Sequence, residues 1–198
     1  MRTDPRDAEA TLRIFFALWP DATTRDALAR LAHDVALRTE GRAPSTGNLH
    51  LTLVFLGEVA IDRLAEVRRI GSAAADRSPR FGLMLDRVAA FRRTGIAWAG
   101  ASAMPDALLR LVQGLNDMLA AAGFPIEQRA FQPHVTLARR CRRSYPVAPA
   151  APIMWSVEGI ALNASDLSSG GPTYRELGSF RLGGSATNDA TPATTGTG

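Results

Sequence analysis

The 198-residue chain contains one cysteine, Cys141, and no lysine, and no apolar stretch approaches the ~20 residues of a membrane-spanning helix. A single cysteine cannot close an internal disulfide, which excludes a disulfide-framework scaffold and points to a reducing compartment or indifference to redox. No such staple is needed, since a chain of this length buries roughly 70% of the surface it exposes when unfolded. The first ten residues carry Arg2, Asp4, Arg6, Asp7 and Glu9 where a signal peptide would be apolar. A cytoplasmic protein is expected, with residues 1–10 flexible. Residues 183–198 lack large side chains and read as a disordered tail.

Without lysine, all 23 basic residues are arginine, and the net charge is +4. The planar guanidinium fork matches phosphate oxygens better than an ammonium does, so the composition admits phosphate-bearing partners. Codon bias alone accounts for the missing lysine. Function is therefore sought where the arginines cluster.

Hydrophobic periodicity predicts an alternation of strands and helices. Leu12 to Trp19 reads as a buried strand, followed by a helix capped by Asp21 with Leu28, Leu31, Ala32 and Val35 on its apolar stripe. A loop containing Gly41, Pro44, Ser45, Gly47 and Asn48 leads to a strand from His50 to Leu56, then to a helix from Ile61 to Ala75. The second half repeats the plan: a hairpin of Phe81 to Phe91 and Gly95 to Ala99 around Arg92-Arg93-Thr94, a helix after Pro105 ended by Gly123, and a strand from Phe131 to Ala138. Strands at Met154 to Leu162 and Tyr174 to Leu182 complete the expectation. The class is α/β or α+β with two similar halves.

Two of the three histidines share one context, His50-Leu51-Thr52-Leu53 and His134-Val135-Thr136-Leu137. Side chains alternate across a strand, so His50 and Thr52 project from one face while Leu49, Leu51, Leu53 and Phe55 project from the other into a core. The same parity pairs His134 with Thr136. If an approximate two-fold axis relates the halves, the pairs face each other across a groove.

Two opposed imidazoles suit metal-free phosphodiester chemistry. Neutral histidine takes a proton from an attacking water and protonated histidine gives one to a leaving oxygen, while hydroxyls donate to the non-bridging phosphate oxygens. The residues alone leave open which histidine does which. Arg139 stands ready to add a cation, and Arg140, Arg142 and Arg143 extend the basic cluster beyond it. A metal site lacks ligands: neither motif holds a carboxylate or cysteine, and Cys141 falls on the opposite strand face. One of Phe15 and Phe16 faces the groove side, where it could stack on a base, although core packing accounts for both. Trp19, Trp98 and Trp155 read as core or edge packing. His33 lies off its helix stripe and is expected in solvent.

The paired His-x-Thr motifs, the strand Arg13-Ile14-Phe15-Phe16-Ala17-Leu18, the segment Asn48 to Gly57 and the segment Phe131 to Arg139 together resemble the 2H phosphoesterase superfamily. Within it they are most similar to the RNA 2′,3′-cyclic phosphodiesterases, also called 2′-5′ RNA ligases. The resemblance runs from about residue 12 to 182 and includes Ser165 and the Tyr174 strand.

It implies an α+β, bilobal fold over residues 11–182, with two pseudo-symmetric lobes, an antiparallel sheet in each, helices outside and the groove between. It implies hydrolysis of an RNA terminal 2′,3′-cyclic phosphate to a 2′-phosphate and, in some members, reversible 2′-5′ ligation. His50 would then be the proton donor to the 3′ oxygen and His134 the acceptor that activates water. Thr52, Thr136 and Arg139 would hold the phosphate. The expected partner is RNA or a nucleotide bearing a 2′,3′-cyclic phosphate, with no cofactor, no metal, no membrane and a monomeric state. The alternatives are a phosphodiesterase for another small cyclic nucleotide and a binding module that holds RNA or nucleotide without turnover.

Overall fold

The computed structural model describes residues 10–91, 93–127, 129–143, 148–168 and 171–183. Arg92, residues 1–9 of the expected flexible start and residues 184–198 of the expected tail lie outside them. Among the described residues eight strands and three α-helices follow in the order β1 (Thr11–Leu18), α1 (Ala22–Thr39), β2 (Leu51–Ala60), α2 (Leu64–Asp76), β3 (Phe81–Phe91), β4 (Ile96–Gly100), α3 (Asp106–Ala121), β5 (Val135–Ala138), β6 (Ala148–Val157), β7 (Gly159–Ser168) and β8 (Gly171–Arg181). The class is α+β. Among the described residues no helix is long and apolar enough to cross a membrane.

The strands form one antiparallel sheet in the order β6-β3-β4-β5-β2-β1-β7-β8. It divides into two four-stranded halves, β6-β3-β4-β5 and β2-β1-β7-β8, whose inner strands β5 and β2 meet through the pair Leu51 and Val135. Each lobe has its antiparallel half-sheet, and this pair joins the two halves into one continuous sheet. Helix α1 crosses between them, leaving β1 of one half yet packing on β5 and β6 of the other, while α2 packs on β7 and β8 of its own half and on α3.

Local chemistry explains the boundaries. Asp21 caps α1 by accepting from the Thr24 amide at 2.9 Å, and Leu28, Ala32 and Val35 bury its apolar stripe. Gly71 lets α2 approach the sheet closely: a Cβ there would stand 2.7 Å from Phe16 Cε1 and 2.8 Å from Phe180 Cε2. The single strand expected over Met154 to Leu162 is instead cut at Glu158 into the end of β6 and the start of β7. Pro149 and Pro152 fall within β6, which is tolerated because β6 is an edge strand and some of its amides need no ladder partner.

The β1–β2 register corrects the expected strand parity. Ala17 pairs Thr52 but Phe16 pairs Val54, so a bulge admits one extra residue on β2 and leaves Leu53 and Val54 both buried. The alternation reverses beyond it. Phe55, expected in the core, turns out and is 40% exposed.

Candidate active site

His50 and His134 do not lie within their strands; each stands one residue before β2 and β5. What holds them is a pair of matched hydrogen bonds. His50 Nδ1 donates to the Asn48 carbonyl at 2.8 Å and His134 Nδ1 donates to the Gln132 carbonyl at 2.7 Å. A carbonyl can only accept, so in both rings Nδ1 carries a proton and Nε2 is left for chemistry.

The register between the inner strands arranges the motifs. Antiparallel pairing of Leu51 with Val135 sets His50 opposite Thr136 and Thr52 opposite His134. Leu51 and Val135 are fully buried, so the four polar residues take the other face of the sheet, and all four line one cavity of about 510 Å³. Two histidines occupy one diagonal of a square and two threonines the other, with ~7–8 Å along a diagonal by ordinary sheet geometry.

Aromatic rings enclose each imidazole. Trp19, Tyr174 and Phe15 have centroids 4.9, 4.9 and 5.3 Å from that of His50, and Phe91 and Trp98 lie 5.1 and 6.2 Å from His134. Burial among these rings holds both imidazoles below the ordinary histidine pKa. The carbonyl bonds oppose that shift, while the Arg139 charge adds to it on both rings and His134 adds to it on His50. Burial likewise raises the Tyr174 phenol, which stays protonated at neutral pH.

Arg139 reaches the cavity through an isolated bridge with Arg42, each amide donating to the other's carbonyl at 2.8 and 2.9 Å. Arg42, Arg139 and Arg140 all line the cavity, and Arg139 has no carboxylate partner among the described residues. Three arginines along one cavity, with the Arg139 charge felt by both imidazoles, suit an anionic ligand. The basic cluster divides here, since Arg143 is spent on Glu40 at 2.8 Å.

The phenylalanines depart from the stacking expectation. Phe16 is fully buried against α2, on the face away from the cavity. Phe15 lies on the cavity side but is 3% exposed, packed against His50 and Tyr174, so its ring supports the histidine and offers no open face to a base. Trp19 and Trp98 were read as packing residues, and they pack against the two imidazoles. Sequence reasoning also passed over Arg42, and Tyr174 carried no site role there. Arg42 gave no signal, because only the bridge to Arg139 brings it in. His33 is exposed on α1, as expected.

Comparison with known proteins bears on this arrangement. The family model described as LigT like Phosphoesterase matches residues 18–98 and again 100–174, one His-x-Thr motif in each segment. The chain belongs to the LigT-like phosphoesterase family. LigT-like relatives include the RNA 2′,3′-cyclic phosphodiesterase of Escherichia coli, 31% identical over 86% of this chain and 96% of that protein. The protein of the same name from Thermus thermophilus is 32% identical over 87% of this chain and 91% of its own length. Among solved structures, E. coli LigT complexed with 3′-AMP matches with a TM-score of 0.79 at 29% identity, covering 87% of this chain and 99% of that one.

Proposed function

We propose that this chain is an RNA 2′,3′-cyclic phosphodiesterase that hydrolyses a terminal cyclic phosphate to a 2′-phosphate, with His50 and His134 as its acid and base. The observation that carries the reading is the crossed square, in which two identically pinned imidazoles and two threonine hydroxyls surround one cavity. The names of the relatives and the LigT-like fold support it.

The geometry suits in-line displacement. With phosphorus at the centre of the square, the histidine diagonal supplies the line of attack and departure, and the threonine diagonal meets the non-bridging oxygens. His134 Nε2 takes the proton of a water whose oxygen bonds to phosphorus. The bond from phosphorus to O3′ breaks, and His50 Nε2–H protonates O3′. His50 ends neutral and His134 protonated, so exchange with solvent resets the pair. Thr52 and Thr136 donate to the oxygens on which charge accumulates, and Arg139 offsets that charge. The aromatic walls exclude water and strengthen each of these interactions. Assignment of His50 as acid follows the family resemblance, because the geometry is symmetric.

No step uses a metal. The experiment is incubation of the protein, with and without EDTA, with an oligoribonucleotide ending in a 2′,3′-cyclic phosphate. The expected product is a 2′-phosphate end in both samples. Binding without turnover would favour the RNA-binding module, and turnover abolished by EDTA would overturn the metal-free mechanism.

A further inference from the structure

Both site histidines are held through a carbonyl two residues upstream, yet the two carbonyls are steadied by different means. The segments read Asn48-Leu49-His50 and Gln132-Pro133-His134. In the second, Pro133 fixes its own φ and confines Gln132 to extended backbone, so covalent structure sets the direction of the Gln132 carbonyl. The Gln132 side chain is exposed and makes no hydrogen bond among the described residues. Leu49 stands where the proline would be on the other side, and it confers no such stiffness.

The Asn48 side chain makes up the difference. Its Nδ2 donates to the Pro172 carbonyl at 2.8 Å, across 124 residues of chain. Pro172 is anchored in turn, pairing with Leu167 across the β7–β8 hairpin. The Asn48 amide closes a short 3-10 turn by donating to the Ser45 carbonyl at 2.8 Å, and Leu49 is buried in the core. The peptide that bears the carbonyl is therefore fixed on both sides. Resting on the reading above, we propose that Asn48 is a positioning residue for His50. Its side-chain amide ties the chain to β8 so that its carbonyl aims the imidazole, which does for His50 what Pro133 does for His134.

The tie also couples the ring to its aromatic wall. Pro172 is the second residue of β8, and Tyr174, two residues on, stands edge-on to His50 at 4.9 Å. Asn48, His50, Pro172 and Tyr174 all line the catalytic cavity. One side-chain hydrogen bond thus joins the acceptor that orients the imidazole to the strand that encloses it. An imidazole whose Nδ1 bond loosens loses its fixed tautomer and its aim together. Proton transfer needs Nε2 within hydrogen-bond reach of the reacting oxygen, so the cost falls on the chemical step.

The test compares Asn48→Leu, which keeps the approximate shape, deletes the donor and adds no charge, with Asn48→Ala, which brings no bulk to accommodate. On a 2′,3′-cyclic mononucleotide each should lower kcat at least about tenfold while KM stays within about threefold. Gln132→Ala keeps its carbonyl and Pro133, and it should lose less. Since the chain holds three histidines, nitrogen-15 NMR resolves every ring. Neutral His50 and His134 of wild type should both show the Nδ1–H tautomer. The two Asn48 variants should bring the Nε2–H tautomer into His50 alone, with His134 and the exposed His33 unchanged. The proposal is overturned if both variants keep kcat within about twofold of wild type, if Gln132→Ala costs as much, or if their His50 stays wholly in the Nδ1–H form. Absence of turnover by wild type would instead remove the phosphodiesterase reading, and the tautomer spectra would still decide whether Asn48 orients His50.

Discussion

Leu51 and Val135 pair across the seam of the sheet, each the residue immediately after a histidine of the site. Because both side chains are buried in the core, their neighbours on either side must face the cavity. One apolar pair at the seam thereby sets the spacing of four polar groups.

His50→Ala and His134→Ala should each lower kcat by about 10²–10⁴, the ordinary contribution of a general acid or base. Both side chains lie on the cavity face outside the apolar core, so far-ultraviolet circular dichroism and thermal melting should remain near wild type. The double variant should cost far less than the product of the two singles, since the pair acts as a unit. Near-wild-type turnover by either single variant would refute the assignment.

Thr52→Val and Thr136→Val keep the side-chain shape and delete one donor each. Their kcat should fall toward the ~10²-fold cost of losing a transition-state donor, with a smaller change in KM. A change confined to KM would mean that the hydroxyls bind the ground state only.

The profile of kcat/KM against pH should be bell-shaped, its two limbs belonging to the histidine pair. Burial and the Arg139 charge both lower these pKa values, so the singly protonated, active pair exists at more acidic pH than ordinary histidines would give, and activity declines as pH rises through the ordinary histidine range. Removing the cation must shift both values upward. Arg139→Gln should therefore move the whole bell to higher pH while lowering its height, and a profile that moves down or stays in place contradicts the proposed electrostatics.

Gly71→Ala and Phe16→Ala separate packing from chemistry. The first forces a methyl against Phe16 and Phe180, at a cost of about 1–3 kcal/mol, and the second empties a fully buried site, at about 3–5 kcal/mol. Both should lower Tm by several degrees or more and leave the kcat/KM of the folded fraction unchanged. Phe15→Ala, which removes a ring packed on His50, should lower activity as well as stability.

Much of this was legible along the chain. Local periodicity located all three helices, and Asp21 marked the start of α1, because capping and amphipathic spacing are properties of a few consecutive residues. The repeated His-x-Thr-Leu marked the site, since strand alternation ties residues two apart to one face. Where a second strand intervenes, the reading failed. Phe55 was assigned to the core by parity, but the bulge that reverses parity exists only in the pairing of β2 with β1. The β6 strand was obscured by its prolines, which only an edge position accommodates.

By itself, the sequence singled out the groups proposed to perform chemistry and showed that each histidine travels with a threonine. It also determined that strands and helices interleave, because hydrophobic period and turn residues are local, while the antiparallel pairing of the sheet decided between α/β and α+β. Only the tertiary structure decided that the two motifs sit on adjacent strands of one sheet, with histidines and threonines on crossed diagonals. It alone brought Trp19, Tyr174 and Trp98 against the imidazoles and joined Arg42 to Arg139. The reason is physical: those relations depend on strand register, on desolvation and on contacts between residues dozens of positions apart, none of which is encoded in any short stretch of chain.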